Sequence, residues 1–101
     1  MAEPTRVPLA DDAQLAELRE QVAETDRAIV EALNRRLELV ARIRRHKETH
    51  GLPFLDTARE EWMLAHLMQA NGGPLSEEGL RELYAQILDL TKREVTRART
   101  A

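Results

Sequence analysis

The segment LAELREQVAETDRAIVEALNRRLELVARIRRHKETH, residues 15–50, determines the architecture of this chain. It contains neither proline nor glycine. Its apolar residues recur at intervals of three, four or seven, which is the spacing of an amphipathic helix. They are Leu15, Leu18, Val22, Ile29, Leu33, Val40 and Ile43. The pattern predicts one long helix from about Asp11 to about His50.

Gly51 and Pro53 end this first helix, because glycine tolerates the left-handed backbone at a helix end and proline cannot continue the helix. A cap for a second helix is available at Asp56 or Thr57. Thr57 with Glu60 also has the spacing of a capping box. The chain therefore starts a second helix directly after a short loop.

The second helix is predicted to end near Ala70, before the Asn-Gly-Gly-Pro run at 71–74. Ser76, followed by two glutamates, opens a third helix that extends toward Thr96. No stretch alternates apolar and polar residues as a strand would. The predicted fold class is all-α, with one long N-terminal helix and two shorter helices.

The length of the first helix predicts a second subunit. A helix of about 39 residues is about 58 Å long, whereas a compact chain of 100 residues has a radius of gyration of about 13 Å. Two shorter helices cannot cover an apolar stripe of that length. A two-fold symmetry mate would bury the remainder, so we expect a homodimeric helical bundle.

Length and composition indicate one globular domain. The 101 residues are 43% hydrophobic and 33% charged, which is not the composition of a disordered chain. Residues 1–10 contain two prolines and no periodic pattern, so they are predicted to form a flexible tail. Residues 11–101 then form the helical domain.

Composition also argues against several classes of protein. The chain has no cysteine, and the spacing of His46, His50 and His66 does not suit a metal site, so neither a metal nor a cofactor is expected. No stretch approaches the roughly 20 apolar residues that span a bilayer, and no leader pattern opens the chain. We therefore expect a cytoplasmic protein with no membrane partner.

Positive charge is concentrated in one segment of an acidic protein. The net charge is −3, yet residues 35–48 contain six arginines and lysines against two glutamates. The acidic remainder would repel a long polyanion, and one Trp, one Tyr and one Phe offer little for base stacking, so nucleic acid is not an expected partner. A small anion is the partner that this pattern favours.

Two cations interrupt the apolar stripe. Arg36 and Lys47 occupy positions where a packing residue is expected, and they lie 11 residues apart, which is three helical turns. Together the two cations can bind one small dianion. Arg19 precedes Arg36 by 17 residues and points about 100° away around the helix, so in a dimer it can serve the neighbour's site.

The start of the second helix adds a further cation. An acid in a first turn, such as Asp56 or Glu60, is often only a cap or a partner of the helix dipole. The positive charge of Arg59 is repelled by that dipole, so the dipole does not explain an arginine at this position, and another contact is expected. The other basic residues of the first helix lie off the stripe near glutamates and are interpreted as a solvated face. They are Arg35, Arg42, Arg44 and Arg45.

From about Leu15 to Val95 the chain resembles the all-helical class of chorismate mutases. The motifs occur in the order of that family: LREQV, LNRRLELVARIRRHK, GLPFLDTAREE and LRELYAQILDLTKREV. The resemblance implies an intertwined homodimer that converts chorismate to prephenate in phenylalanine and tyrosine biosynthesis. This reaction is a unimolecular [3,3] rearrangement that needs no covalent or acid–base step, so positioning and electrostatic stabilisation accelerate it.

The resemblance also implies roles for single residues. Arg36 and the neighbour's Arg19 would hold the two substrate carboxylates, and Lys47 would contact the breaking ether oxygen. Glu60 would hold the ring hydroxyl. The set comprises catalytic Lys47, Arg36 and Glu60 and substrate-binding Arg19, Asp56, Arg59, Thr91 and Val95. Asp56 would act through its backbone, and Arg59 would brace the carboxylates of the pocket.

The third helix departs from the family pattern. Thr91 stands where many members have serine, and Val95 stands where members commonly have a glutamine or glutamate that reaches the ether oxygen. Val95 either faces the pocket, which its position near the Thr91 face favours, or packs in the core.

Alternative functions stay open at this point. A relative of the same fold could act on isochorismate as a pyruvate lyase or on aminodeoxychorismate. A non-catalytic regulatory dimer of an aromatic-pathway enzyme is a further alternative. Whether a larger pathway enzyme activates this chain is left open.

Overall fold

The computed structural model describes the backbone of residues 9–100 and the side chains of residues 13–97. It contains three helices: α1 (Leu9–Thr49), α2 (Thr57–Ala70) and α3 (Glu77–Thr100). The predicted all-α class and the order of one long and two shorter helices are confirmed. Within the described residues, no helix has both the length and the apolar character needed to cross a bilayer.

The start of α1 corrects the predicted boundary of the tail. The helix begins at Leu9, so two residues assigned to the tail are helical. Residues 1–8, the rest of the predicted tail, lie outside the described residues.

The chain divides into two compact units, one ending at Arg36 and one beginning at Leu37. In the first unit the described residues form a single helix. The stripe residues Leu18, Val22 and Ile29 are 50%, 60% and 50% exposed. The apolar stripe of this unit is therefore largely uncovered in the single chain.

The second unit begins with the last part of α1, which ends in a Schellman motif. Gly51 has a φ of +68°, in the left-handed region where glycine is favoured. The amide of Leu52 donates to the carbonyl of Lys47 at 2.8 Å, and the amide of Gly51 donates to that of Glu48 at 3.4 Å. These two bonds turn the chain sharply at Gly51, one turn after Lys47.

Side-chain caps start the two shorter helices. Asp56, and not Thr57, is the N-cap of α2, since its Oδ1 accepts from the amide of Arg59 at 3.0 Å. Ser76 caps α3 in the same way, with its Oγ accepting from the amide of Gly79 at 2.9 Å. A Cβ at Gly79 would lie 3.1 Å from that Oγ, so glycine allows the close approach.

The core of the second unit lies along α3, which packs against α2. Among the residues with described side chains, those that are buried are Leu80, Thr91 and Val95, at 5%, 6% and 5% exposure. Their spacing of eleven and four residues places them on one side of α3. This side of the helix carries two of the predicted site residues.

We expect Ser76→Ala to lower the free energy of unfolding by about 1 kcal/mol, because the amide of Gly79 loses its side-chain acceptor at the start of α3. Ser76→Asp should retain most of the stability, since aspartate is an equally good cap. Denaturant unfolding of the three proteins checks this. Equal midpoints for Ser76→Ala and the unmodified chain would contradict the assigned cap.

Candidate active site

Lys47 lies in the last turn of α1. The loop between α1 and α2, residues 50–56, folds back over it. Lys47 Nζ donates to the carbonyl oxygen of Phe54 at 3.0 Å, and the contact is partly buried. The main-chain carbonyl of Lys47 meanwhile accepts from Leu52. Since an ammonium has three donors, this bond orients the charge and leaves it capacity for a further acceptor. The geometry suits the point charge expected at this position.

Arg44 was predicted to lie on a solvated face, and that prediction is wrong. Its side chain is 22% exposed, whereas Arg35, Arg42 and Arg45 are exposed as predicted. The guanidinium lies 4.8 Å from the ring centroid of Phe54. Arg44 Nε lies 3.4 Å from Glu48 Oε2, one of the glutamates near the basic residues, and Arg44 Nη1 also donates to Thr96 Oγ1 of α3 at 3.4 Å. Arg44 therefore joins α1, the loop and α3.

Arg59 gains a local contact that the sequence interpretation missed. Its guanidinium lies over the ring of Trp62, 4.2 Å from the centroid. The ring of Trp62 in turn stacks on the ring of His66. The two ring centroids are 5.2 Å apart, and the angle between the ring planes is 3°. A cation at the start of a helix is here stabilised by an aromatic face three residues on. The i, i+3 spacing in the sequence was the signal for this contact.

Glu60 is paired with a residue of α3 that was not among the predicted site residues. Its Oε2 lies 3.5 Å from Nζ of Lys92, and the two side chains are 29% and 45% exposed. The pair joins the first turn of α2 to the segment of α3 next to Thr91. Nothing in the spacing of the sequence indicates this contact, since the two residues are far apart along the chain.

Thr91 and Val95 lie four residues apart and are both buried, which agrees with the predicted shared face. Thr91 Oγ1 donates to the carbonyl of Ile87 at 2.6 Å, one turn back on its own helix. Val95 lies in the core, the alternative that the sequence interpretation did not favour. That either residue borders a substrate stays a prediction.

Arg19 and Arg36 belong to the first unit. Arg19 is exposed and Arg36 is half-buried. Both lie on α1, as predicted. Their roles in holding carboxylates stay predictions.

Four predicted residues of the second unit lie at the two ends of the loop between α1 and α2. Lys47 is held by the loop before α2, Asp56 is the N-cap of that helix, and Arg59 and Glu60 lie at its first turn. An open groove between α2 and α3, bordered by Met68 and Arg81, contains none of the predicted site residues. The cations at the two ends of the loop, Lys47 and Arg59, are our candidates for binding a small anion.

A sequence profile described as "Chorismate mutase type II" matches residues 18–95, which include every predicted site residue. This chain belongs to the chorismate mutase type II family. The family resemblance seen in the motifs is thereby confirmed. The match extends to Val95, the position at which the third helix departs from the family pattern.

Two solved structures from Thermus thermophilus have the same fold as this family member. Chorismate mutase form I is 37% identical with a TM-score of 0.74, and the match covers 77% of this chain and 98% of that chain. Form II is 36% identical with a TM-score of 0.78, and the match covers 83% of this chain and 96% of that chain.

Two curated relatives are longer proteins. A bifunctional chorismate mutase/prephenate dehydratase of Pseudomonas aeruginosa is 32% identical over 85 residues, which are 79% of this chain and 23% of the relative. A T-protein of Enterobacter agglomerans is 43% identical over 53 residues, which are 52% of this chain and 14% of the relative. The chain thus spans less than a quarter of the length of these relatives.

We expect Val95→Gln to lower the free energy of unfolding by about 1–3 kcal/mol, because an amide would replace a methyl-bearing side chain that is 5% exposed. Thermal melts beside rate measurements test this, with Arg93→Gln at an exposed position of α3 as the control. Unchanged stability together with a raised rate would instead place residue 95 against the substrate.

Proposed function

We propose that this chain is a chorismate mutase that converts chorismate to prephenate as a homodimer. The observation that carries the proposal is the placement of Lys47, whose ammonium is held by the Phe54 carbonyl at 3.0 Å in a partly buried position. Membership of the family supports the choice of substrate. The reacting molecule is a dicarboxylate, and a cluster of cations suits it.

The chemistry requires little beyond cations and confinement. The ether C–O bond breaks as a C–C bond forms within one molecule, so no nucleophile and no proton transfer is involved. Negative charge develops on the ether oxygen, and an oriented ammonium in a water-poor site stabilises it strongly. Lys47 is the residue to which we assign this contact. Its orientation by the loop reduces the reorganisation that the reaction requires.

The arginines are assigned to the substrate's carboxylates. A guanidinium pairs bidentately with a carboxylate and so fixes its direction as well as its position. Arg36 would hold one carboxylate and Arg19 of the second protomer the other, which keeps the substrate in its compact reactive shape. Glu60 would accept a hydrogen bond from the ring hydroxyl, with Lys92 holding its carboxylate at 3.5 Å.

The homodimer is supported by the uncovered apolar surface of α1. Exposed stripe residues occur in both units, with Leu18 at 50%, Val22 at 60% and Ile43 at 50%. Monomeric proteins rarely expose a long continuous apolar surface, and a symmetric partner offers the same stripe in return. The second copy would also bring Arg19 to a site that otherwise lacks it.

Identification of the product tests the proposed function most simply. Purified protein mixed with chorismate should yield prephenate, identified by chromatography and mass. The same protein given isochorismate should yield neither salicylate nor pyruvate. Salicylate and pyruvate would instead assign the lyase activity, and binding of chorismate without turnover would assign a regulatory role.

We expect Lys47→Ala to lower kcat by about 10²–10³, the cost typical of removing one donor to a developing oxyanion. Helicity by circular dichroism and the oligomeric state should be unchanged, since the ammonium serves the transition state. Arg45→Ala, two residues away and exposed, is the matched control and should be nearly as active as the unmodified chain. A rate near the unmodified value for Lys47→Ala would refute its role.

The composite site predicts that two inactive proteins rescue each other. Arg19→Ala and Lys47→Ala should each be inactive alone. When they are unfolded and refolded together, about half of the dimers should be mixed, and each mixed dimer has one site with both residues intact. About a quarter of all sites are then intact, so the activity should return to about a quarter of that of the same amount of unmodified protein. No recovery, despite mixed dimers shown by mass, would mean that Arg19 does not act across the interface.

A further inference from the structure

Arg44 contacts three other residues of the second unit, although the sequence interpretation placed it on a solvated face. It lies three residues before Lys47 on α1, and its side chain is 22% exposed. Its guanidinium contacts the Phe54 ring, Thr96 on α3 and Glu48 on its own helix. Its neighbours Arg42 and Arg45 are exposed. Arg44 is thus the arginine of this basic run that is turned toward the loop.

Phe54 contacts two cations of α1, Arg44 and Lys47, each in a different way. Its ring centroid is 4.8 Å from the guanidinium carbon of Arg44 and 5.9 Å from the ammonium of Lys47. Its main-chain carbonyl accepts from the same ammonium at 3.0 Å. Ring and carbonyl belong to one residue, so a contact that holds the ring limits how far the main chain of Phe54, and with it the carbonyl, can move away from Lys47. Arg44 can therefore influence Lys47 without touching it.

Arg44 and Lys47 place two cations near the C-terminal end of α1. Two like charges three residues apart on a helix repel each other, and here both approach the same aromatic ring. The negative face of the ring and the carboxylate of Glu48 offset part of that repulsion. The result is a concentration of positive charge at the end of α1, where the proposed reaction develops negative charge.

We propose that Arg44 is a positioning residue for Lys47: its guanidinium, which is also bonded to Thr96 of α3, holds the Phe54 ring, and the Phe54 carbonyl then orients the Lys47 ammonium toward the substrate. The inference rests on the proposed function, since orientation matters only if Lys47 acts in the reaction. Arg44 itself does not touch the substrate in this account. Arg44 affects the rate through its contact with Phe54 in the loop.

Kinetics of matched variants test the inference. Arg44→Met should lower kcat by about tenfold to a hundredfold, the range expected when a reacting group is slightly misplaced, and should change KM by less than about threefold. Arg44→Lys keeps a cation near the ring and should recover part of the loss. Arg45→Met, which removes the adjacent exposed arginine, should leave both constants near their original values.

A double variant tests whether Arg44 acts through Phe54. Phe54→Leu removes the ring and keeps the main-chain carbonyl, so it should reproduce the loss of kcat seen for Arg44→Met. The double variant should then be no slower than either single variant, because both remove the same contact between Arg44 and the Phe54 ring. Multiplying losses, or an Arg44→Met protein as active as Arg45→Met, would overturn the inference.

Hydrogen exchange gives a readout that does not depend on turnover. Without that contact, the amide of Leu52 and the following loop amides should exchange faster in Arg44→Met than in Arg45→Met, and unchanged exchange would overturn the inference. A wild-type chain without turnover would overturn the proposed function. That result is distinct from an active wild type with an equally active Arg44→Met variant, which overturns this inference alone.

Discussion

The structure of this family member depends on how the apolar stripe of its 41-residue first helix is covered. A helix in a protein derives most of its stability from packing its apolar face, and here Leu18, Val22 and Ile29 are at least half exposed in the single chain. In the proposed dimer a second copy covers them. The same pairing would deliver Arg19 to the neighbouring site. Covering the stripe and completing the site are then one event, so folding and activity should depend on the same interface.

Within the second unit, local backbone chemistry places the ammonium of Lys47. The Schellman turn at Gly51 folds the loop back onto the end of α1, and this return brings the Phe54 carbonyl to Lys47. The Asp56 cap then starts α2 directly after the loop, which places Glu60 one turn into that helix. A unimolecular rearrangement needs positioning and charge but no nucleophile or base. A short loop between two capped helix ends can supply positioning and charge with few residues.

The sequence predicted the helices well because their ends are determined locally. Gly51, Asp56 and Ser76 each act within a few residues, through backbone conformation or a single side-chain oxygen. The roles of Arg44 and Lys92 could not be read from spacing, since their partners Thr96 and Glu60 lie on other helices. The stacking of Arg59 on Trp62 was visible in principle as an i, i+3 pair. The burial of Val95 depends on packing between helices, which periodicity alone does not resolve.

The central claim is that a single chain holds an incomplete site and that a second copy completes it. The most direct measurement is the specific activity toward chorismate over a dilution series, beside the dimer fraction of the same samples from analytical ultracentrifugation. The account predicts that specific activity falls in proportion to the dimer fraction as the chain is diluted, and that it approaches zero for the monomer. Full specific activity in samples that contain only monomer would contradict it.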